Sequence, residues 1–151
     1  RNINDKEIYK NTANIPYPYT IKDAKFWVKK NIKLTKEKNP KIVTFVIDIN
    51  GEVAGAVGFH DIDRKNKNAE IGYWLGRKYW NKGIMTKVIK QVCKIGFDKL
   101  NLVRIYARVF IFNKSSEKVL KKCGFKLEGE RKKVVYKDGK FLDDRLYAIT
   151  K

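Results

Sequence analysis

Cysteine and histidine are scarce in this sequence, and their scarcity excludes several kinds of site. Cys93, Cys123 and His60 are the only residues of these two types. Three such residues are too few for a zinc centre built from thiolates and imidazoles, so we expect no metal. Each cysteine lies beside apolar residues in a helical pattern. We interpret both as buried free thiols of an intracellular protein and not as a disulfide.

Long apolar runs are also missing. No stretch approaches the roughly 18 apolar residues that cross a bilayer, and the first residues are polar, unlike a signal peptide. We therefore expect a cytoplasmic protein with no membrane partner. The length of 151 residues favours a single domain over residues 1–151. Because the chain does not begin with Met, we expect residues before Arg1.

Acidic residues are few, at 16 against 35 basic residues, and the formal net charge is +19. Such an excess is typical of proteins that contact polyanions, so a basic nucleic-acid or ribosome-binding module stays open as an alternative. However, the lysines are spread along the whole chain and accompany many Asn and Ile residues. We therefore favour a compositional origin for the charge, and nucleic acid is not the partner that we expect.

The sequence does contain a regular succession of helix and strand patterns. Thr20 precedes a helical pattern from Ile21, with Asp23 completing a capping box, and Asn50-Gly51 is typical of a type I′ hairpin turn. The predicted elements that follow the first helix are strands Lys41–Ile49, Glu52–Phe59 and Glu70–Leu75, a helix from Ile84 to near Lys99, strand Leu102–Phe110, helix Ser115–Cys123, and strands Phe125–Arg131 and Phe141–Ile149.

The strand–helix–strand unit from Glu70 to Phe110 requires one parallel pair of strands in an otherwise antiparallel sheet. The predicted fold is therefore a single mixed α/β (α+β) domain, with a mostly antiparallel sheet and helices on both faces.

The segment from Trp80 to Thr86 joins a strand to the long amphipathic helix. The first turn of a helix offers free N–H groups and a positive dipole end, which bind phosphate. Gly83 lets the backbone approach a ligand closely, and Lys82 adds charge. A single glycine at a helix start is more often structural, so this segment alone is a weak signal.

The context strengthens it. Ala69-Glu70-Ile71-Gly72-Tyr73-Trp74-Leu75, followed by Tyr79–Thr86, resembles the acetyl-CoA motif of the GNAT acetyltransferases, and in particular the RimJ/RimL-type subgroup that acetylates protein N-termini. The family signature Gln/Arg-x-x-Gly-x-Gly/Ala corresponds to Trp80–Met85 and differs at both of its ends. A second segment, Asn113-Lys114-Ser115-Ser116 to Gly124-Phe125, resembles the subgroup's Asn-x-x-Ser…Gly-Phe element. The family's usual first strand is not visible, which again suggests a truncated start.

The resemblance implies an acetyl-CoA site and an amine acceptor. The acceptor is a protein N-terminus, such as that of a ribosomal protein, or alternatively a polyamine, an amino acid or an antibiotic. Family members often form homodimers. The residues that the resemblance assigns to acetyl-CoA binding are Tyr73, Trp74, Leu75, Trp80, Asn81, Lys82, Gly83, Ile84, Met85, Thr86, Asn113 and Ser116.

The resemblance further implies direct attack of the amine on the thioester carbonyl. We predict that the N–H of Trp74 donates to the developing oxyanion, that Glu70 is the base, and that Ser116 bonds the sulfur. Two alternatives stay open: Glu70 only pairs with a nearby lysine or orders a loop while water carries the proton, and Ser116 only satisfies backbone groups at its helix start. Leu120 stands where many GNAT enzymes have a tyrosine acid.

Three further polar sites are set aside at this stage. His60 ends a strand near the expected substrate channel, but a lone histidine is more often a surface residue, so it is not included in the catalytic set. Asp143 and Asp144 are either solvated residues at a strand start or contacts for a cationic amine. Arg131-Lys132-Lys133 is either a solvated hairpin or a contact for an acidic partner.

Overall fold

The computed structural model describes the backbone of residues 1–151 and every side chain except that of Thr35. Four helices and six strands form the domain, with one turn of 3₁₀ helix at Arg77–Tyr79. In chain order the elements are α1 (Lys6–Asn11), α2 (Ile21–Thr35), β1 (Val43–Ile49), β2 (Glu52–Asp63), β3 (Asn68–Leu75), α3 (Ile84–Lys99), β4 (Arg104–Phe110), α4 (Lys114–Lys122), β5 (Lys126–Lys137) and β6 (Lys140–Thr150).

The six strands form one sheet in the order β1-β2-β3-β4-β6-β5. All neighbours are antiparallel except β3 and β4, which α3 connects as a parallel pair. The predicted mixed, mostly antiparallel sheet is therefore confirmed. None of the helices in the described chain combines the length and the hydropathy that a bilayer crossing requires.

Local turn and cap chemistry explains several of the element boundaries. Asn50 and Gly51 both have positive φ, at 54° and 79°, as the predicted type I′ turn requires. The Thr20 hydroxyl accepts from the N–H of Asp23, whose carboxylate accepts in return from the N–H of Thr20. Gly124 follows α4 with φ of 91°, in the left-handed conformation expected after a helix end.

Several elements differ from the prediction, and β2 runs on to Asp63 past its predicted end at Phe59. The short helix α1 was not expected, because only Ile8 is buried within its six residues and so few residues give no helical period. β5 and β6 are longer than predicted and meet at a two-residue turn, Asp138-Gly139. A register shift between Arg131 and Val135, on a largely exposed strand, obscures the alternation that would have revealed them.

The core lies between the sheet and α3. The helix buries Met85, Ile89, Val92, Cys93 and Gly96. The sequence predicts an apolar stripe of Ile84, Val88, Val92, Cys93 and Ile95, of which Val92 and Cys93 are buried and the other three are partly buried. Cys93 and Cys123 are both buried and unpaired, as expected. At Gly96 an added Cβ would lie 2.7 Å from Cζ of Phe59, so this glycine sets how closely α3 approaches the sheet.

Candidate active site

A wedge opens where β3 and β4 separate. The two strands pair only over three residues each, from Asn68 to Glu70 and from Arg104 to Tyr106. β3 then continues to Leu75 and β4 to Phe110 with no further pairing to each other among the described residues. Peptide groups on the inner edge of β3 are thereby left for a ligand to bind.

The direction of the β3 peptide groups shows which of them face this wedge. The carbonyl of Lys67 accepts a 2.7 Å hydrogen bond from the backbone just before β4, whereas the N–H of Gly76 donates at 2.7 Å to β2. Peptide groups alternate in direction along a strand. By this alternation, the peptide groups of Tyr73 and Leu75 point into the wedge, and that of Trp74 points towards β2. The N–H groups of Tyr73 and Leu75 are therefore better placed to donate to an oxyanion in the wedge than the predicted donor, the N–H of Trp74.

The N-terminus of α3 lies at the exit of β3 and has the features of an anion site. Its cap residue, Gly83, has φ of 71° and provides no side-chain cap. No acidic residue occupies the first turn, so the N–H groups of Ile84, Met85 and Thr86 have no competing carboxylate there. A Cβ on Gly83 would meet nothing within 4 Å, which shows that this backbone is open to a ligand.

Side-chain hydrogen bonds hold the loop before this helix in place. The indole Nε1 of Trp80 donates to the carbonyl of Leu75 at 2.7 Å. Glu52 on β2 accepts from Nζ of Lys78 at 2.6 Å and from the hydroxyl of Tyr79 at 2.7 Å. These hydrogen bonds lower the pKa of Glu52 to about 2. Trp80, which replaces the family's Gln/Arg, therefore fastens the end of β3 with its side chain.

The second motif meets the wedge from the side of α4. Oδ1 of Asn113 accepts from the N–H of Ser116 at 3.1 Å, so Asn113 is the cap of α4. The Ser116 hydroxyl lies 2.6 Å from the hydroxyl of Tyr73. Burial raises the pKa of Tyr73, so its phenol stays protonated. The Ser116 hydroxyl is thus paired with a side chain and not with its own helix backbone.

Tyr73 was predicted only as part of the cofactor-lining strand. The period of two directs its side chain towards α4, and this signal was available in the sequence. Leu120, at the position where many family members have a tyrosine acid, is fully buried in the core. The phenol that lies beside Ser116 is that of Tyr73.

The structure distributes the predicted acetyl-CoA residues unevenly. Tyr73, Leu75 and Ser116 converge on the wedge, while Asn81, Lys82 and Gly83 are exposed at the start of α3. The Met85 side chain is only 7% exposed and belongs to the core. The carbonyl of Thr86 accepts from Sγ of Cys123 at 3.5 Å. The buried side chain of Met85 leaves only its backbone for contact with a ligand.

The opposite face of β3 carries Glu70. Its carboxylate accepts from Nε of Arg108 at 2.8 Å and also from Nη2 of the same guanidinium, in a two-point ion pair. The Glu70 side chain is 13% exposed. Glu70 therefore pairs with an arginine from the neighbouring strand. The alternative in which it pairs with a lysine is not what the structure shows.

Asp144 lies on the same face and is paired in the same way. It is 3% exposed, and its two oxygens accept from Arg131 at 2.8 and 2.6 Å. The expectation that Asp144 is solvated was therefore wrong, because the guanidinium of Arg131 replaces its water. Asp143 instead accepts from Nζ of Lys132 at 3.1 Å and from the N–H of Lys133 at 2.8 Å.

Glu117 fixes the position of α4. It is 6% exposed and accepts from Arg145 on β6 at 2.5 Å, and Lys114 lies 3.5 Å away. Burial alone would raise the pKa of Glu117, but the ion pair with Arg145 outweighs it and the pKa is lowered.

Replacing Glu117 with Gln is expected to destabilise the fold by about 2 kcal/mol at neutral pH, because Arg145 loses its buried partner but keeps Glu130. The lowered pKa means that this contribution is present above the ordinary pKa of a glutamate and is lost as the pH falls through the folded value. Urea unfolding at several pH values measures it. A difference between the two proteins that grows below pH ~4 would contradict the ion-pair assignment.

Together these features give an open helix N-terminus without a competing acid and, beside it, a strand edge with unpaired peptide groups. The comparisons with known proteins agree. A model of the acetyltransferase (GNAT) domain matches residues 2–126. The chain belongs to the GNAT acetyltransferase family, as the motifs implied, and the predicted fold is confirmed.

Relatives of this family extend over most of the chain. The uncharacterized N-acetyltransferase YoaA of Bacillus subtilis (strain 168) is 39% identical over 100 residues, which are 66% of this chain and 56% of YoaA. The chain thus spans little more than half the length of that relative.

Two solved structures share the whole architecture. The microcin C7 self-immunity acetyltransferase MccE, in complex with acetyl-CoA and AMP, has a TM-score of 0.88 and 29% identity, over 99% of this chain and 82% of that chain. RimL, the ribosomal L7/L12 alpha-N-protein acetyltransferase in complex with coenzyme A, has a TM-score of 0.88 and 25% identity, over 98% and 83%.

Proposed function

We propose that this enzyme transfers the acetyl group of acetyl-CoA to the α-amine of a protein N-terminus, in the manner of the RimJ/RimL-type subgroup. The proposal is carried by the face of the sheet that bears Glu70 and Asp144, which we propose is the acceptor side. On this face an arginine neutralises the charge of each carboxylate. A polyamine needs unpaired carboxylates, and the net charge of +19 repels it further. An α-amine brings one charge and loses it easily, with an ordinary pKa of about 7.7–8.0.

The same arginines suit an acceptor whose first residues carry carboxylates. Arg108 keeps 45% of its side chain exposed although it pairs with Glu70, so it can also contact an incoming anion. A ribosomal-protein N-terminus of acidic composition is such an acceptor. Two buried free thiols suit a reducing compartment, so the proposal places the reaction in the cytoplasm. The proposal includes a homodimer solely because members of the family often form one.

Specific groups of the site bind acetyl-CoA and stabilise the charges that develop during the transfer. The N–H groups of Tyr73 and Leu75 point into the wedge and donate to the carbonyl oxygen as negative charge develops on it. The Ser116 hydroxyl donates to the departing thiolate, and the phenol of Tyr73 keeps that hydroxyl oriented. The first turn of α3 binds the pyrophosphate through its backbone. Holding both substrates in line supplies much of the acceleration.

A second candidate is acetylation of a small amine that carries an anionic group. The similarity to MccE, solved with AMP, favours it, because Arg108 and Arg131 lie on the face where such a group would bind. The two candidates differ in whether a peptide chain follows the reacting amine.

The test of the proposed function is an acceptor panel incubated with acetyl-CoA and analysed by mass spectrometry. The panel contains a ten-residue acidic peptide with a free Ala N-terminus, the same peptide with a blocked N-terminus and an internal lysine, a free amino acid, aminoacyl-AMP and spermidine. Acetylation of the first peptide alone is expected. Acetylation of only the aminoacyl-AMP would select the second candidate, and preference for spermidine would contradict the charge argument.

Replacing Ser116 with Ala is expected to lower kcat about tenfold, because one hydrogen bond to a charged leaving group is lost. Tyr73→Phe should lower it less, since the phenol acts through Ser116. Acetyl-CoA affinity, measured by isothermal titration, should stay within about threefold for both variants. If Ser116→Ala weakens binding and leaves kcat unchanged, Ser116 is a binding residue and the thiolate has no protein donor here.

A further inference from the structure

The group that deprotonates the acceptor amine is not settled by the two motifs. Glu70 was predicted for this role, but both of its oxygens accept from the guanidinium of Arg108. Both oxygens of this carboxylate are therefore already engaged by a cation. Among the described side chains of this face, the other buried carboxylate, Asp144, is held by Arg131 in the same way.

His60 lies beside Glu70 and has no hydrogen-bond partner among the described residues. In the register of β2 and β3, His60 is directly opposite Glu70, so both side chains project from the same face of the sheet. Its ring packs over Gly72: a Cβ built there would lie 3.1 Å from Nε2 and 3.2 Å from Cδ2 of His60. The absence of a side chain at Gly72 thus makes room for the imidazole.

This position is close to the wedge and open to solvent. Gly72 precedes Trp74 by two residues, or about 7 Å along the strand, and β3 has already separated from β4 at this point. His60 remains exposed at the surface. An amine that approaches the wedge across this face therefore passes the imidazole.

Charged groups of three other elements surround the ring. Glu70 and Asp61 raise its pKa, whereas Lys30 on α2 and Arg108 on β4 lower it. Burial of the packed part of the ring is the largest effect, and the pKa of His60 is lowered. The imidazole is consequently neutral at physiological pH and has a free nitrogen lone pair.

We propose that His60 is the general base of this enzyme and accepts the proton of the acceptor ammonium at an imidazole nitrogen. The N–H bond of the ammonium breaks and an N–H bond to His60 forms, which leaves a neutral amine to attack and an imidazolium that later returns its proton to water. Arg108 holds Glu70 as a fixed negative charge facing the imidazolium, so Glu70 is a positioning residue. The proposal rests on the proposed function only in requiring a primary amine, of whichever class.

The test is the pH profile of kcat for the wild type and four variants, with the acceptor that the panel above identifies as the best substrate. His60→Gln is expected to lower kcat about 100-fold and to abolish the acidic limb of the profile, while acetyl-CoA binding by calorimetry is unchanged. Asp61→Asn, which removes a charge that raises the pKa, should shift the limb to lower pH. Lys30→Ala should shift it to higher pH.

The opposite shifts distinguish a titrating base from a merely structural histidine. If His60→Gln keeps both the rate and the limb, or if the limb disappears only in Glu70→Gln, the proposal is wrong. Turnover of a small amine in place of the peptide would overturn the protein N-terminus as acceptor and would still test His60, because every primary amine must lose the same proton.

Discussion

Replacing Gly83 with Val is expected to weaken acetyl-CoA binding at least about 100-fold in isothermal titration. The β-branched side chain would project into the open space beside the first turn of α3, where we propose that the pyrophosphate binds. Displacing the phosphates would cost two charge-assisted hydrogen bonds of about 1.5–3 kcal/mol each. Each tenfold change in affinity corresponds to about 1.4 kcal/mol, so a loss of at least about 3 kcal/mol weakens binding at least about 100-fold.

The matched control is Gly139→Val. Gly139 also has a positive φ, 77°, and open space around its missing Cβ, but it lies in the β5–β6 turn. Both substitutions incur the same left-handed backbone strain, of about 1–2 kcal/mol. Only Gly83→Val should lose acetyl-CoA binding. Equal losses in the two variants would mean that strain and not the ligand is responsible, and unchanged affinity in Gly83→Val would place the pyrophosphate elsewhere.

The second large effect is on stability. Gly96→Leu is expected to lower the free energy of unfolding by about 3 kcal/mol, because even one added carbon would lie 2.7 Å from Phe59, 3.1 Å from Ile105 and 3.3 Å from Leu102. All three neighbours are almost fully buried and have nowhere to move. Chemical denaturation measures the change, and acetyl-CoA affinity should fall as well, since α3 would be pushed away from the wedge.

Lys94→Leu is the control for this substitution. It adds the same side chain to an exposed position of the same helix and should change stability by no more than about 0.5 kcal/mol. A Gly96→Leu protein as stable as Lys94→Leu would show that α3 does not pack against β2 and β4 through this glycine.

Local chemistry made much of the fold predictable from the sequence. The Asn50-Gly51 turn, the Thr20–Asp23 box and the glycine after α4 each depend on residues close in the chain. The parallel pair followed from one strand–helix–strand unit. The start of α3 was predicted for the same reason, since a glycine cap without a competing acid is a property of neighbouring residues.

Contacts between distant strands were not predictable. The ion pair of Glu70 with Arg108, 38 residues further along the chain, depends on how β3 and β4 align and cannot be deduced from either segment. The same holds for Tyr73 and Ser116, which are 43 residues apart. His60 was set aside because a lone histidine carries no pattern. Its proximity to Gly72 becomes visible only in the register of β2 and β3.

The most direct test of the account is a backbone amide NMR titration of the protein with acetyl-CoA. The largest shift changes should fall on Ile84, Met85 and Thr86 in the first turn of α3, and on Tyr73, Leu75 and Ser116 around the wedge. The amide of Trp74, which points towards β2, should change less than those of Tyr73 and Leu75. Changes that concentrate on α2, with the first turn of α3 unaffected, would contradict the proposed site.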